Sequence, residues 1–312
     1  MKCPNNTYLY FEQLISMEKI ALLIIYNHRY DKNIPILDKI YEGRFSYVYH
    51  VVPFYDGDRE NVIAVYESSY YFQNYIAQAY QHIKNMGFTH YFVVADDMII
   101  NPGLNETNLF EQLEISTTDC YIPRIKSFSQ MKNFWRWTTD ALTYKVEQRG
   151  VEVKNVLPSK ADAQRLFDQH HVSTDSVPFC SMFTTNFAEF YKRVVRKMPF
   201  CLRLNYPLAA GYADIFLLTQ AEMPKFCQYC GAFAATRLFV EIAVPTAMIL
   251  TAGTIKQDGD VKLKCGDVWR EGVDKLKQRY NCDLDNLIEN YPKDTLYIHP
   301  VKLSQWKSKF KK

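Results

Sequence analysis

The residues best suited to chemistry are two adjacent aspartates, Asp96 and Asp97, which end the apolar run in "HYFVVADDMIINP" at residues 90–102. Like charges side by side near a low-dielectric interior repel each other, so we expect a positive group beside them. A hard divalent cation such as Mg²⁺ or Mn²⁺ takes oxygen ligands and often shares them with substrate phosphates. Helix capping explains the pair less well, because the next helical pattern begins only near residue 106. The pair therefore predicts a metal or ligand site.

Two single acids are also candidates for chemistry. Asp214 in "YPLAAGYADIFLL" and Glu241 in "GAFAATRLFVEIAVPTAMI" both lie beside apolar runs. Burial raises the pKa of a carboxyl group toward the range that suits a general base. Each acid could instead cap a helix or pair with a cation such as Arg237, and both interpretations stay open for each of them.

Alternating strands and helices must position these side chains. Amphipathic patterns that end at Gly43 and Gly87 predict two helices, and four apolar runs predict buried strands, namely "IALLIIY", "YVYHVV", "VIAVY" and "HYFVVADD". This alternation is typical of a mostly parallel α/β sheet with helices on both faces, and such sheets bind ligands at the carboxyl ends of their strands. Asp96 and Asp97 lie at such an end.

The composition narrows the class of protein. The chain has 312 residues, of which 48% are hydrophobic and 23% charged, and its formal net charge is +3, so disorder and a nucleic-acid partner are disfavoured. No GxGxxG, GxxxxGK[ST], GxSxG or HExxH motif occurs, which argues against the commonest dinucleotide, NTPase, hydrolase and zinc-protease functions. The N-terminus has no signal-like apolar region, and no apolar run approaches the roughly 20 residues of a membrane span, so we expect a cytoplasmic protein.

An acidic pair that closes the fourth strand of an N-terminal nucleotide-binding half resembles the DxD-type motif of glycosyltransferases with the GT-A fold. Ala95 occupies the first position of that motif here. The resemblance implies that Asp97 holds Mn²⁺ or Mg²⁺ at the donor diphosphate, and that Asp96 lies near the ribose or the sugar. It also implies that Asp214 or Glu241 is the base or a sugar contact.

Two further groups extend the resemblance. Many GT-A enzymes return a late histidine to the metal, which here points to His299 in "TLYIHPVKLSQW", and neutral imidazole is an acceptable ligand for Mn²⁺. The loop after the first strand carries nucleotide contacts in the family, which implicates Tyr26, Asn27 and Arg29 in "YNHRYDKN". A solvated loop is the alternative interpretation. Bacterial transferases of the capsule or O-antigen type are the nearest in character.

We therefore expect a single-domain α/β, GT-A-like (Rossmann-like) fold. Residues 18–119 would form the nucleotide-sugar-binding half, residues 120–304 the acceptor-side half and residues 305–312 a basic tail. The expected activity is transfer of a sugar from a nucleotide diphosphate donor to the hydroxyl of a glycan or lipid-linked acceptor, in polysaccharide or glycolipid assembly. The alternatives are a non-catalytic nucleotide-sugar or glycan-binding module of the same fold and a metal-dependent phosphoryl-transfer enzyme.

Two aromatic segments suggest further contacts. "FWRW" at residues 134–137 could stack against an acceptor sugar, although packing in the core explains such rings equally. The end of the chain, "HPVKLSQWKSKFKK", holds five lysines with Trp306 and Phe310, which suits peripheral contact with anionic lipid at the inner face of a membrane. A solvated basic tail is the alternative for the second segment.

Overall fold

A computed structural model describes residues 18–131, 141–153, 155–176 and 204–310 of the chain. Strands and helices alternate through the first part, as the apolar runs predict. The strands are β1 Ile20–Ile25, β2 Tyr47–Pro53, β3 Val62–Val65, β4 His90–Ala95, β5 Ile99–Ile100, β6 Cys120–Tyr121, β7 Ile125–Ser127, β8 Ala209–Gly211, β9 Ile215–Thr219, β10 Ile255–Lys256, β11 Lys264–Asp267 and β12 Thr295–His299. The helices are α1 Ile34–Tyr41, α2 Gln73–Ile83, α3 Leu109–Leu113, α4 Lys160–Gln169, α5 Met223–Ala235, α6 Val240–Ile249, α7 Glu271–Arg279 and α8 Leu284–Glu289.

Within the described residues, seven strands form the central sheet in the order β3-β2-β1-β4-β9-β6-β10. Strands β3, β2, β1 and β4 are parallel neighbours, whereas β9 is antiparallel to both β4 and β6. The expected α/β architecture with a mostly parallel sheet and flanking helices is confirmed, and it is consistent with a Rossmann-like fold. Because β9 comes from the second half of the sequence, both halves of the chain contribute to one sheet.

Helices cover both faces of this sheet because β1 is apolar on both faces. Alternate side chains of a strand point in opposite directions, and every residue of β1 is buried. Ala21, Leu23 and Ile25 belong to an apolar cluster with α2, α5 and α6, whereas Leu22 and Ile24 belong to a second cluster with α1 and β12. The two predicted helices end as expected, with Gly43 at φ +72° and Gly87 at φ +73°, values that glycine adopts without steric cost.

A small sheet brings the end of the chain to the aspartate pair. Strand β12 is parallel to β11 and antiparallel to β5, with Tyr297 opposite Ile100 and Ile298 opposite Ile99. Since β5 begins two residues after Asp97, this register carries the next residue of β12, His299, toward that side chain. The contact joins residues 202 positions apart in the sequence.

The basic tail does not present its aromatic residues as the sequence suggested. Trp306 is only 2% exposed and packs in the cluster that contains α1 and β12, and Phe310 packs against the same cluster. Lys302, Lys307 and Lys309 are exposed. Lipid contact by the tail therefore stays a prediction that rests on its lysines and not on an aromatic pair. No helix in the described part of the chain has the length and apolar character needed to cross a bilayer.

Candidate functional site

The carboxyl ends of β1 and β4 and the start of the antiparallel strand β9 bring three of the predicted acids, Asp96, Asp97 and Asp214, to one edge of the sheet. The backbone N–H of Asp96, the residue after β4, donates to the carbonyl of Ile25 at the end of β1 (2.9 Å). The N–H of Ala95 donates to the carbonyl of Asp214, which precedes β9 (2.8 Å). The site thus lies at the edge of the sheet where parallel strands bind ligands.

Asp96 is the more deeply buried of the two aspartates, with 3% of its surface exposed. The side-chain amide of Asn33 donates to its Oδ2 at 3.1 Å. Burial and the neighbouring charge of Asp97 raise the pKa of Asp96 to about 7, although hydrogen bonds from Asn33 and from the backbone of Asn27 oppose the shift. Asp96 therefore changes charge near neutral pH.

Asp97 and His299 form a direct pair. Nε2 of His299 donates to Oδ1 of Asp97 at 3.0 Å, and the hydroxyl of Tyr212 lies 2.7 Å from Nδ1 of the same ring. Burial by itself would lower the pKa of His299, but the hydrogen bond and charge of Asp97, together with the charges of Asp214 and Asp267, raise it. Both ring nitrogens are thus held, so the orientation of the imidazole is set by its neighbours.

Asp214 and Glu241 both have raised pKa values. Burial is the main cause for Asp214, whose pKa rises to about 6 against the opposing charge of His299. Burial and the charge of Asp214 raise the pKa of Glu241 to about 8, with Arg124 opposing. Arg124 itself pairs with Asp267 at 2.8 Å. Both acids accordingly have pKa values in the range that suits proton transfer near neutral pH.

Two cavities each have a lining residue that contacts His299. The first, of about 240 Å³, is lined by Asp96 and Asp97 together with mostly polar residues from the loop after β1 and the segment after β12, namely Asn27, His28, Tyr30, Asn33, Lys302 and Ser304, and the apolar Leu303. The second, of about 220 Å³, is lined by Glu241 and Trp269 with residues of the β7–β8 ribbon and its surroundings, namely Arg124, Lys126, Met131, Ala210, Gly211, Tyr212 and Asp267. We call them the aspartate cavity and the glutamate cleft. His299 connects them because it contacts Asp97 in one and Tyr212 in the other.

The β7–β8 ribbon and α6 position the glutamate cleft. The N–H of Tyr212 donates to the carbonyl of Arg124 at 3.2 Å, which fixes these two residues side by side. The hydroxyl of Thr246 accepts from the N–H of Ala209 at 3.0 Å and ties α6 to β8. Glu241, in the first turn of α6, is thereby held beside the ribbon.

Asp97 and His299 have the donor chemistry for a divalent cation. Among the described residues no group of three or more His, Cys, Asp and Glu side chains is arranged to hold a metal ion. A carboxylate suits Mg²⁺ and Mn²⁺, whereas imidazole is acceptable for Mn²⁺ and a poor ligand for Mg²⁺, and either ion would take further ligands from water and substrate phosphates. A cation there would require Nε2 of His299 to give up its proton and its hydrogen bond to Asp97, and it would take most of its ligands from water and a phosphate-bearing substrate.

Two predicted nucleotide contacts are not among the residues that line the aspartate cavity. Tyr26 is fully buried, and its hydroxyl lies 2.8 Å from Nδ1 of His50, because the chain continues along β2 for one more residue after β1. Arg29 is exposed and is engaged by Asp31 at 3.0 Å and by Asp56. Of the three loop residues named from the sequence, Asn27 lines the cavity.

Several residues of the site were not identified from the sequence. Asn33 lies in the polar loop that was predicted to contact the nucleotide, and Lys302 follows His299 by three residues. Their positions in the sequence could therefore have identified both. Trp269 and the Arg124–Asp267 pair had no such local signal, because they reach the site only through tertiary contacts. The "FWRW" segment at residues 134–137 lies outside the described residues.

No protein-family model matches the sequence, and no curated protein matches it at a significant level.

Proposed function

We propose that the protein is a metal-dependent glycosyltransferase that moves a sugar from a nucleotide diphosphate donor to an acceptor hydroxyl. The observation that supports this most strongly is the Asp97–His299 pair at the carboxyl edge of a mostly parallel sheet, where His299 contacts a lining residue of each of two cavities. A two-substrate transfer needs two adjoining sites, one for each substrate. The Mn²⁺ or Mg²⁺ that the pair would hold supplies a Lewis acid for the departing diphosphate.

The aspartate cavity suits the donor. Lys302 lines it, and an ammonium group is a favourable partner for a phosphate oxygen. The amides of Asn27 and Asn33 supply polar contacts for ribose or sugar hydroxyls. Asp96, with a pKa of about 7, accepts a hydrogen bond from such a hydroxyl when it is ionised.

Glu241 is our candidate for the general base, because it lines the open glutamate cleft. Asp214 lies instead with Ala95 and Phe72 at a narrow crevice between the strand ends. A base works best when its pKa is near the operating pH, and the pKa of Glu241 is raised to about 8. If transfer inverts the configuration of the donor sugar, Glu241 would take the proton of the acceptor hydroxyl.

The first test is a thermal-shift series with UDP, GDP, CDP, dTDP and their common sugar conjugates, with and without Mn²⁺. A ligand at one hundred times its dissociation constant stabilises the folded state by about 2.7 kcal/mol. We expect stabilisation by one nucleotide class only when Mn²⁺ is present. Transfer or donor hydrolysis by the same conjugate then separates an enzyme from a binding module, and no Mn²⁺-dependent shift with any nucleotide would contradict the proposal.

A further inference from the structure

The most exposed tryptophan among the described residues lines the glutamate cleft. Trp269 is 60% exposed and lies between β11 and α7, with its ring centroid 6.3 Å from that of His299 and the two planes at 79°. Single exposed apolar residues are common on protein surfaces, so exposure alone carries no conclusion. The position of this indole, between a candidate metal ligand and a candidate base, makes it informative.

The loop holds this indole in one place. Nε1 of Trp269 donates to Oδ2 of Asp267 at 3.3 Å. The N–H of Val268 donates to the carbonyl of His299 at 2.8 Å, and the N–H of Gly272 donates to the carbonyl of Trp269 at 2.9 Å. Arg270 has φ +49°, in the left-handed region that non-glycine residues rarely adopt. Hydrogen bonds of the Trp269 side chain and of the loop backbone therefore fix this exposed ring next to a strained residue, unlike a loose surface side chain.

Polar and charged side chains line the cleft together with the indole. Glu241 and Lys126 are among them, and the guanidinium of Arg124 lies there in an ion pair with Asp267. A flat apolar face in the same cleft as carboxylate and cationic hydrogen-bonding groups matches a sugar ring, which presents C–H groups on its face and hydroxyls around its edge. Small-molecule sites commonly combine an apolar surface with a few placed polar groups in this way.

From this arrangement we infer that Trp269 is a stacking platform for a sugar ring of the acceptor, so that the acceptor is a glycan whose hydroxyl points to Glu241. This inference adds the chemical class of the acceptor to the proposed function. It rests on that function, because only a transferase has an acceptor. A nucleobase also stacks on aromatic rings. The aspartate cavity, however, contains the residues suited to the diphosphate, and Trp269 does not line it.

The test compares three variants of the full chain with the wild type on a glycan array, without nucleotide. Trp269→Ala removes the platform, Trp269→Phe keeps a smaller aromatic face, and Tyr66→Ala removes a ring of similar exposure (65%) after β3, which does not line the cleft. We expect the wild type, Trp269→Phe and Tyr66→Ala to bind the same glycans. Trp269→Ala should lose at least tenfold in affinity.

Affinity for UDP or GDP with Mn²⁺, measured on the same proteins, separates this inference from the proposed function. We expect that affinity to agree within twofold between Trp269→Ala and the wild type. Glycan binding that needs Trp269, with no Mn²⁺-dependent nucleotide binding at all, would contradict the transferase and support the platform. The platform is overturned if the wild type binds nucleotide and no glycan, or if Trp269→Ala keeps its glycans. If Trp269→Ala lost affinity for the nucleotide but kept its glycans, the indole would be a contact of the nucleobase, and the platform would be overturned as well.

A second measurement needs no variant. Oxidation of Trp269 by N-bromosuccinimide, followed by peptide mass spectrometry, should slow at least threefold when the best glycan of the array is bound. Trp306 is buried and serves as the internal control in the same digest. Equal oxidation of Trp269 with and without that glycan would overturn the platform.

Discussion

The aspartate cavity and the glutamate cleft each have a lining residue that contacts His299, but their charged groups are arranged differently. In the cavity, two carboxylates lie next to each other, and their repulsion contributes to the raised pKa of Asp96. In the cleft, Arg124 pairs with Asp267, while burial and the charge of Asp214 raise the pKa of Glu241 to about 8. The first region is therefore suited to attract a cation and its phosphates, and the second to hold an uncharged ligand and exchange a proton. The predictions below test that division from the largest expected effect to the smallest.

Replacing Asp97 should abolish the function of the cavity and spare the cleft. Asp97→Asn removes one of two donors for the metal, so we expect Mn²⁺-dependent nucleotide affinity to fall by more than the roughly 10- to 100-fold typical of residues that only orient metal ligands. Isothermal titration with UDP or GDP and Mn²⁺ measures it. Glu42→Gln, at an exposed ion pair with Lys39, is the matched control. Undiminished affinity in Asp97→Asn would remove Asp97 from the metal site.

Replacing Glu241 should impair the glutamate cleft and spare the aspartate cavity. If Glu241 is the base, Glu241→Gln keeps nucleotide affinity and lowers turnover by roughly 10² to 10⁴, the usual contribution of general base catalysis. Asp214→Asn is the comparison, because we expect it to act mainly on binding. Steady-state kinetics with the donor found by thermal shift measures both. Turnover equal to that of the wild type in Glu241→Gln would exclude this role.

The raised pKa of Glu241 also predicts a pH-dependent stability. An acid whose pKa is higher in the folded than in the unfolded state stabilises the fold while protonated, and that contribution is lost as the pH rises from about 4.5 to about 8. The wild type should therefore lose roughly 1 to 3 kcal/mol relative to Glu241→Gln between pH 5 and pH 9. Urea denaturation at both pH values measures the difference. A constant difference would mean that Glu241 is ionised in the folded protein at neutral pH.

Tyr212 tests the connection between the two regions. Tyr212→Phe keeps the ring, which stacks on Tyr297, and removes the hydroxyl beside Nδ1 of His299. We expect Mn²⁺ affinity with nucleotide to fall about tenfold, as for other groups that orient a metal-bound histidine. Tyr297→Phe removes a hydroxyl from the stacked partner and is the control. Equal affinity in Tyr212→Phe and the wild type would indicate that Asp97 alone orients the imidazole.

The first half of the fold followed directly from local patterns. The four predicted strands and the two helices that end at Gly43 and Gly87 all occur. Hydrophobic periodicity and helix-terminating glycines are signals that act over a few residues. The position of the aspartate pair at a strand end followed from the same local signal. Its relation to His299 needed the resemblance to a known family, since nothing local links residues 202 positions apart.

The loop after β1 marks the limit of local prediction. Its composition predicts a polar turn after Tyr26, the last residue of the predicted strand "IALLIIY", and the hydrogen bond from the N–H of Tyr26 to Val51 (3.1 Å) keeps that residue in the sheet and buries its ring. The bonded pair of Tyr26 and His50 depends on the register between β1 and β2, which composition does not contain. The same holds for Arg29, whose charge is engaged by Asp31 and by Asp56, a residue after β2.

The sequence by itself determined the α/β class, the first strands and helices and the acids worth testing, because hydrophobic period and isolated charge are properties of short segments. Tertiary structure alone decided that β9 runs antiparallel beside β4, that β12 brings His299 to Asp97, and that Trp269 stays exposed while Trp306 is buried. Those outcomes depend on strand register and on which apolar face finds a partner. Both are set by contacts between segments far apart in the chain. Many pairings of strands and apolar faces compete there, and only the packing of the complete fold favours one of them.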